Sequence, residues 1–214
     1  MLLIVPFVLG PVETNTYLIA DSDTGAAAVI DPAWDGPRIA VEARQRQWQI
    51  GQIWITHAHF DHIGGVADLV LALENPPVIA LHPHDRLLWD AQGGAALFGF
   101  SLPASPAPTL DLAERKVLPL GQTTFEASHT PGHTPGHCVF YCAEAGVCFC
   151  GDLIFKNSIG RTDLPGGDWE KLVRSIRTDV YTLPDDTRLL SGHGPVTTVG
   201  QEKSGNPFVR GLMD

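Results

Sequence analysis

The sequence predicts an α+β fold in which two β-sheets are buried against each other and helices cover their outer faces. Two observations carry this. Short strand-like runs recur with helical patterns between them, an order that two packed sheets under outer helices satisfies. In addition, one hairpin pattern occurs twice and ends each time in an aspartate. The first copy is Thr16 to Ala20, a turn at Asp21 to Gly25, and Ala27 to Ile30 before Asp31. The second is His137 to Cys142, a turn at Ala143 to Gly146, and Val147 to Cys150 before Gly151-Asp152. Two similar β-rich halves facing each other account for the repeat.

Met1 to Gly10 is apolar but broken by Pro6, has no basic flank and is too short to span a bilayer, so it reads as a first strand. After the first hairpin, a helical pattern runs near Arg38 to Arg46, and Gln52 to Ile55 reads as a short buried strand. Gly64-Gly65 turns into a second helical run that reaches Leu73. Pro77 to Leu81 follows as a strand and His84 to Ala91 as a helix. Three prolines between Ser101 and Pro108 forbid a helix there and favour an extended surface strap. Past the second hairpin, Asp168 caps a helix to about Asp179, and Thr187 to Ser191 reads as the last strand.

The length of 214 residues suits one generous domain, and residues 1–214 read as such. A net charge of −10 argues against a nucleic-acid partner, whose phosphates need a basic surface. Bound divalent metals would reverse that field locally and leave an anionic small substrate open. Cys138, Cys142, Cys148 and Cys150 form no C-x-x-C pair and read as small buried hydrophobes, with Cys148 and Cys150 on one strand face. With no membrane span and no disulfide framework, the expected location is the cytoplasm.

Thr56-His57-Ala58-His59-Phe60-Asp61-His62 packs three imidazoles and a carboxylate into seven residues directly after a strand. A lone histidine is seldom a ligand, but this density reads as a metal site. His57 and His59 point the same way from an extended backbone, and a bend after them brings Asp61 and His62 to a second position. Three later strand-to-loop junctions add donors: His133 within Thr130 to His137, Asp152, and His193 within Ser191 to Pro195. His57, His59 and His133 for one ion, Asp61, His62 and His193 for another, and Asp152 as a bridge would complete a dinuclear centre. Two such ions would bring a shared water toward neutrality as a nucleophile. His129 and His137 compete for the role of His133, while His82 and His84 read as polar residues at a helix start.

The motif H-x-H-x-D-H at His57, His59, Asp61 and His62, with Thr-Pro-Gly-His at His133, Gly-Asp at Asp152 and Gly-His-Gly-Pro at His193, resembles the metallo-β-lactamase superfamily. The resemblance covers nearly the whole chain and implies a four-layer αββα sandwich. Gly151 to Phe155, Ser158 to Asp163, Leu164 to Gly167 and the tail from Glu202 to Phe208 are most similar to short-form glyoxalase II-like hydrolases, which cleave S-D-lactoylglutathione or similar thioesters. The resemblance implies attack of a metal-bridging hydroxide on a small-molecule thioester, oriented by Asp61. It also implies Arg161 as a substrate carboxylate clamp, against a structural pairing of Arg161 with Asp163. Long-form relatives add a C-terminal helical domain that supplies basic residues for glutathione, and this sequence stops at Asp214. Zinc is the first choice of metal, with iron and manganese also compatible with the donors. The alternative activity is that of the mononuclear iron persulfide dioxygenases, which share Gly160 to Asp163 but usually differ at Gly192 to Pro195. A β-lactamase role fits less well, because those enzymes generally lack the aspartate at Asp152.

Overall fold

The computed structural model describes residues 1–113 and 116–210; the end of the chain at Asp214 lies outside the described residues. Strands β1 (Leu2–Leu9), β2 (Thr14–Asp21), β3 (Ala26–Ile30), β4 (Gln49–Trp54), β5 (Val78–Leu81) and β6 (Leu110–Asp111) form one sheet in that order. The first three run antiparallel, and β3 to β6 run parallel. Parallel neighbours need crossovers, which α1 (Gly36–Gln45), and then the short α2 (Phe60–Ile63) with α3 (Val66–Ala72), supply. The helix expected from His84 begins as a 3₁₀ turn at Pro83–Asp85 and continues as α4 (Arg86–Asp90).

The second sheet holds β7 (Lys116–Leu120), β8 (Thr123–His129), β9 (Cys138–Cys142), β10 (Val147–Gly151), β13 (Arg188–Ser191) and β14 (Thr197–Thr198), in spatial order β14-β13-β10-β9-β8-β7. A small pair, β11 (Ile154–Phe155) with β12 (Ser158–Ile159), follows β10. Helix α5 (Trp169–Ser175) leads into a π-helical turn at Ile176–Val180, and α6 (Val199–Gly205) follows β14. The repeated hairpin pattern corresponds to β2–β3 in one sheet and β9–β10 in the other, each antiparallel. Each second strand then takes a parallel neighbour, β4 or β13.

Three apolar layers hold four structural layers together. Ile53, Ile39, Leu69 and Trp89 fill the space between the first sheet and its helices. Trp54, Phe125, Phe140 and Phe149 fill the space between the sheets, with the Trp54 and Phe125 rings edge to face at 4.9 Å. Leu172, Ile176, Tyr181 and Val199 cover the outer face of the second sheet. This is the αββα sandwich. Cys148 and Cys150 share the outer layer while Cys138 and Cys142 face the inter-sheet layer, and all four are free and buried. Burial pushes the Cys148 thiol up to about 12, which suits a packing role.

Two readings need correction. The strand ending at Ser191 is not the last, because β14 pairs with it antiparallel before α6 begins. The helix capped by Asp168, whose carboxylate accepts the Lys171 amide, keeps α-geometry only to Ser175 before its π-turn. A two-residue strand leaves no periodic trace in sequence, and a π-turn continues the same apolar face. Among the described residues no helix is long and apolar enough to cross a membrane.

Candidate metal centre

Strands β3, β4, β8, β10 and β13 all end at one edge of the sandwich, and their loops carry the donors. His57 and His59 leave β4, Asp61 and His62 lie in α2, His133 sits between β8 and β9, Asp152 follows β10, and His193 follows β13. The structure brings all seven together. His59 Nδ1 lies 2.9 Å and His57 Nε2 3.2 Å from His133 Nε2. Asp61 Oδ2 lies 3.1 Å from His193 Nε2 and 3.5 Å from His62 Nε2. Asp152 reaches both sides: Oδ1 is 3.4 Å from His62, while Oδ2 is 3.6 Å from His133 and 3.5 Å from His193. Nitrogens around a tetrahedral ion at 2.0–2.1 Å stand roughly 3.4 Å apart, close to these spacings.

Two atoms argue for a cation. His62 Nε2 and Asp152 Oδ1 are buried without a hydrogen-bond partner, a costly state unless something else meets them. The outer nitrogens of three histidines are tied back, which turns their other lone pairs inward. His62 Nδ1 donates to Asp31 Oδ2 at 2.9 Å, and His133 Nδ1 donates to the Arg161 carbonyl at 2.8 Å. His57 Nδ1 lies 3.0 Å from Thr56 Oγ1, whose own proton goes to Asp31 Oδ2. Asp31, at the end of the first hairpin, therefore supports two donors without joining them.

Electrostatics agree with the donor chemistry. Burial, reinforced by the neighbouring imidazoles, holds His57 well below the ordinary histidine range, and burial with His133 brings His59 to about 3. Both stay neutral, the form that binds metal. Burial also lowers His62, but Asp152, Asp61 and Asp31 outweigh it and raise the ring well above normal. Asp152 moves the other way: burial raises it, and His62, His133 and His193 more than reverse that. Positive charge is thus drawn to the point where His62 faces Asp61 and Asp152.

Glycine makes the approach possible. A Cβ on Gly151, whose φ is +46°, would stand 2.6 Å from Thr56 Oγ1, and one on Gly192 would collide with Asp152 Oδ1.

Two supports, Asp85 and Asn15, had no sequence signal strong enough to find them, and a third, His137, is one of the two competitors for the role of His133. Asp85 accepts hydrogen bonds from the Ala58 amide, the Gly136 amide and the Thr134 hydroxyl, so it clasps the β4 loop to the β8–β9 loop. Asn15 donates its amide to the Ser191 and Gly194 carbonyls, at 2.9 Å each, and fixes the His193 loop. His137 stacks on His57 and accepts the Asp152 amide, so it stands behind the donors. His129 faces away and lies parallel to His82 at 3.8 Å, near His84. No ion can lie in the planes of two parallel rings, so the lone pairs of His82 and His129 cannot share one as placed.

Above the donors opens a pocket of about 370 Å³. Its remaining walls are Val12, Phe60, Phe98, Phe155, Ile159 and Leu164, with Arg161 at the rim. Arg161 makes a two-pronged ion pair with Asp163, both bonds at 2.7 Å. The Pro-rich segment 101–108 lies elsewhere, its buried Leu102 packing in the layer of Ile63 and Trp89.

A family model for the metallo-beta-lactamase superfamily matches residues 9–193. The chain belongs to the metallo-β-lactamase superfamily. As a superfamily member it is a metal-binding hydrolase with a dinuclear donor set. It is 37% identical over 200 residues to the hydroxyacylglutathione hydrolase GloC of Haemophilus influenzae, with 92% of this chain and 93% of that protein covered. Among solved structures it is similar to the BLEG-1 B3 metallo-beta-lactamase (TM-score 0.90, 37% identity, 98% and 100% of the two chains). It is also similar to TTHA1623 in a di-iron-bound form (TM-score 0.86, 38% identity, 95% and 99%).

Proposed function

We propose that the chain is a glyoxalase II-like thioesterase that works with two divalent ions, zinc first, and that residues 1–214 act as one catalytic unit. His57, His59 and His133 would hold one ion, Asp61, His62 and His193 the other, and Asp152 would join them. Bound there, the ions would supply Lewis acidity toward a carbonyl oxygen and a water activated near neutral pH. The chain's own residues do the rest. Asp61, whose Oδ2 accepts the Thr14 hydroxyl at 3.1 Å, is held as a carboxylate by His62 and His193 against its burial, and as an acceptor it can orient the attacking water. Arg161 at the rim is the proposed contact for a substrate carboxylate, in competition with Asp163.

The observation that carries the reading is what the pocket lacks. Among the described residues, its lining beyond the donors offers no side-chain proton donor except Arg161, which is already paired. A thiol near pKa 8.5 leaves as a thiolate without receiving a proton, whereas an alkoxide or an amine anion does not. The GloC relative supports the same chemistry. The assembled Asp61, His62 and His193 set supports two ions rather than the single iron of a persulfide dioxygenase.

The deciding experiment pairs elemental analysis of the purified protein with three assays: S-D-lactoylglutathione turnover, β-lactam turnover, and oxygen uptake with glutathione persulfide. About two metal equivalents with thioester cleavage are expected. One iron with oxygen uptake and no thioester cleavage would overturn the proposal, and β-lactam turnover without thioester cleavage would redirect it.

A further inference from the structure

The walls of the metal-site pocket carry more information than its floor. Phe60 lies between the donors His59 and Asp61, and its ring stacks on Phe98 at 5.0 Å and on Phe100 at 5.3 Å. Trp34 meets both Phe60 and Phe100 edge to face. The aromatic wall is therefore braced from behind. Phe98 closes a 3₁₀ segment, Gln92–Phe98, that is seated against the Phe60 backbone through Gly93 at φ +64°. Phe98 nevertheless remains 44% exposed, and Val12 in the same lining 43%. The β11–β12 pair supplies Phe155 and Ile159, and Leu164 completes the wall.

Among the described residues no serine, threonine, asparagine, glutamine, lysine or tyrosine lines this pocket, and its cation, Arg161, is paired with Asp163. Apart from Arg161 at the rim, a peptidic thiol with several charges and amides would find little to bond there, and polar groups seated against the rings would lose water without compensation. At about 370 Å³ the cavity lies toward the small end of the range that small-ligand pockets occupy, and it opens to solvent.

We propose that this pocket selects thioesters in which one arm beside the scissile carbonyl is an uncharged hydrocarbon or aryl group, with Phe98 and Phe155 as specificity-determining residues. The proposal deepens the thioesterase reading above and rests on it. Burying apolar surface against these rings favours each added methylene by about two- to threefold, below the full-burial value of about fourfold because the pocket opens to solvent, until the arm outgrows the cavity.

The test uses metal-loaded protein and two substrate series. One keeps a small neutral thiol and varies the acyl arm from acetyl through butyryl and hexanoyl to phenylacetyl. The other keeps acetyl and varies the thiol from ethyl through benzyl to glutathione. We expect kcat/KM to climb in one series, which identifies the seated arm, and Phe98→Ala and Phe155→Ala to flatten that climb while Phe98→Leu restores part of it. Flat profiles in both series, or faster turnover of the glutathione ester than of the apolar ones, would overturn the proposal. Calorimetric binding of hexanoate against lactate separates the two readings. If no thioester is cleaved yet hexanoate binds about tenfold more tightly, the reaction assignment fails and the pocket assignment stands; equal affinities would sink the pocket assignment as well.

Discussion

At the scale of single residues, the centre is only as good as the groups that aim its donors. Asp31 fixes both the tautomer of His62 and the hydroxyl of Thr56. Asp31→Ala should weaken metal affinity by about 10–100-fold, as titration against a chromophoric chelator would read; unchanged affinity would remove Asp31 from the site. Asp85 is a different case, because it touches loops rather than donors. Burial raises its carboxyl despite three hydrogen-bond donors, two of them backbone amides that have no other partner in the clasp. Asp85→Ala would strand those amides and should cost about 2–4 kcal/mol in denaturant unfolding, with Asp85→Asn retaining part; a loss within ~0.5 kcal/mol would refute the clasp. The donors were legible in sequence because chemistry compressed them into short motifs. Asp85 was not, since its partners lie 27, 49 and 51 residues away and nothing local marks it.

At the scale of elements, the loop that carries His133 is seated on α5. Gly132 has φ +143°, its carbonyl accepts the Asp168 amide, and Ser175 Oγ donates to the Pro131 carbonyl. A Cβ on Gly132 would collide with the Leu172 backbone. Gly132→Ala should therefore move His133 and lower both metal content and thermal stability, which elemental analysis and calorimetry would show together; metal content equal to the parent would mean that the loop yields elsewhere. The hairpins β2–β3 and β9–β10 were readable because alternation and turn residues repeat within each. The edge elements were not. β6 and β14 have two residues each, too few for a period, and β6 pairs Leu110 with Ala80 across a long stretch of chain.

At the scale of the whole molecule, two conditions should bring down stability by separate routes. Asp21 ties the first hairpin to the second sheet: it accepts hydrogen bonds from Thr24, Asp23 and Thr123, which outweigh its burial and bring its carboxyl to about 2 from 3.8. The unfolded chain binds more protons between those values. The contribution of Asp21 is therefore intact above about pH 4 and is lost as pH falls through 2. Asp21→Asn should flatten that part of the acid-unfolding curve, and an unchanged slope would discard the assignment. Chelation acts on the other half, since removing cations leaves Asp61 and Asp152 facing each other. Linkage predicts a loss of about 4 kcal/mol when an ion at a thousand times its Kd is stripped, reversible on adding zinc; an unshifted Tm would mean that the apo centre is self-sufficient. The bond from Asn15 to the loop of His193 spans 176 residues and has a bearing on how the enzyme is made. A ribosome releases His57 to His62 long before Ser191 to Gly194, so the growing chain displays a half-built chelator open on one side. The His57, His59 and His133 set would be complete once the chain has passed His133, whereas the Asp61, His62 and His193 set could close only when the last donor loop emerges and Asn15 captures it, so the two halves of the centre would be finished in order.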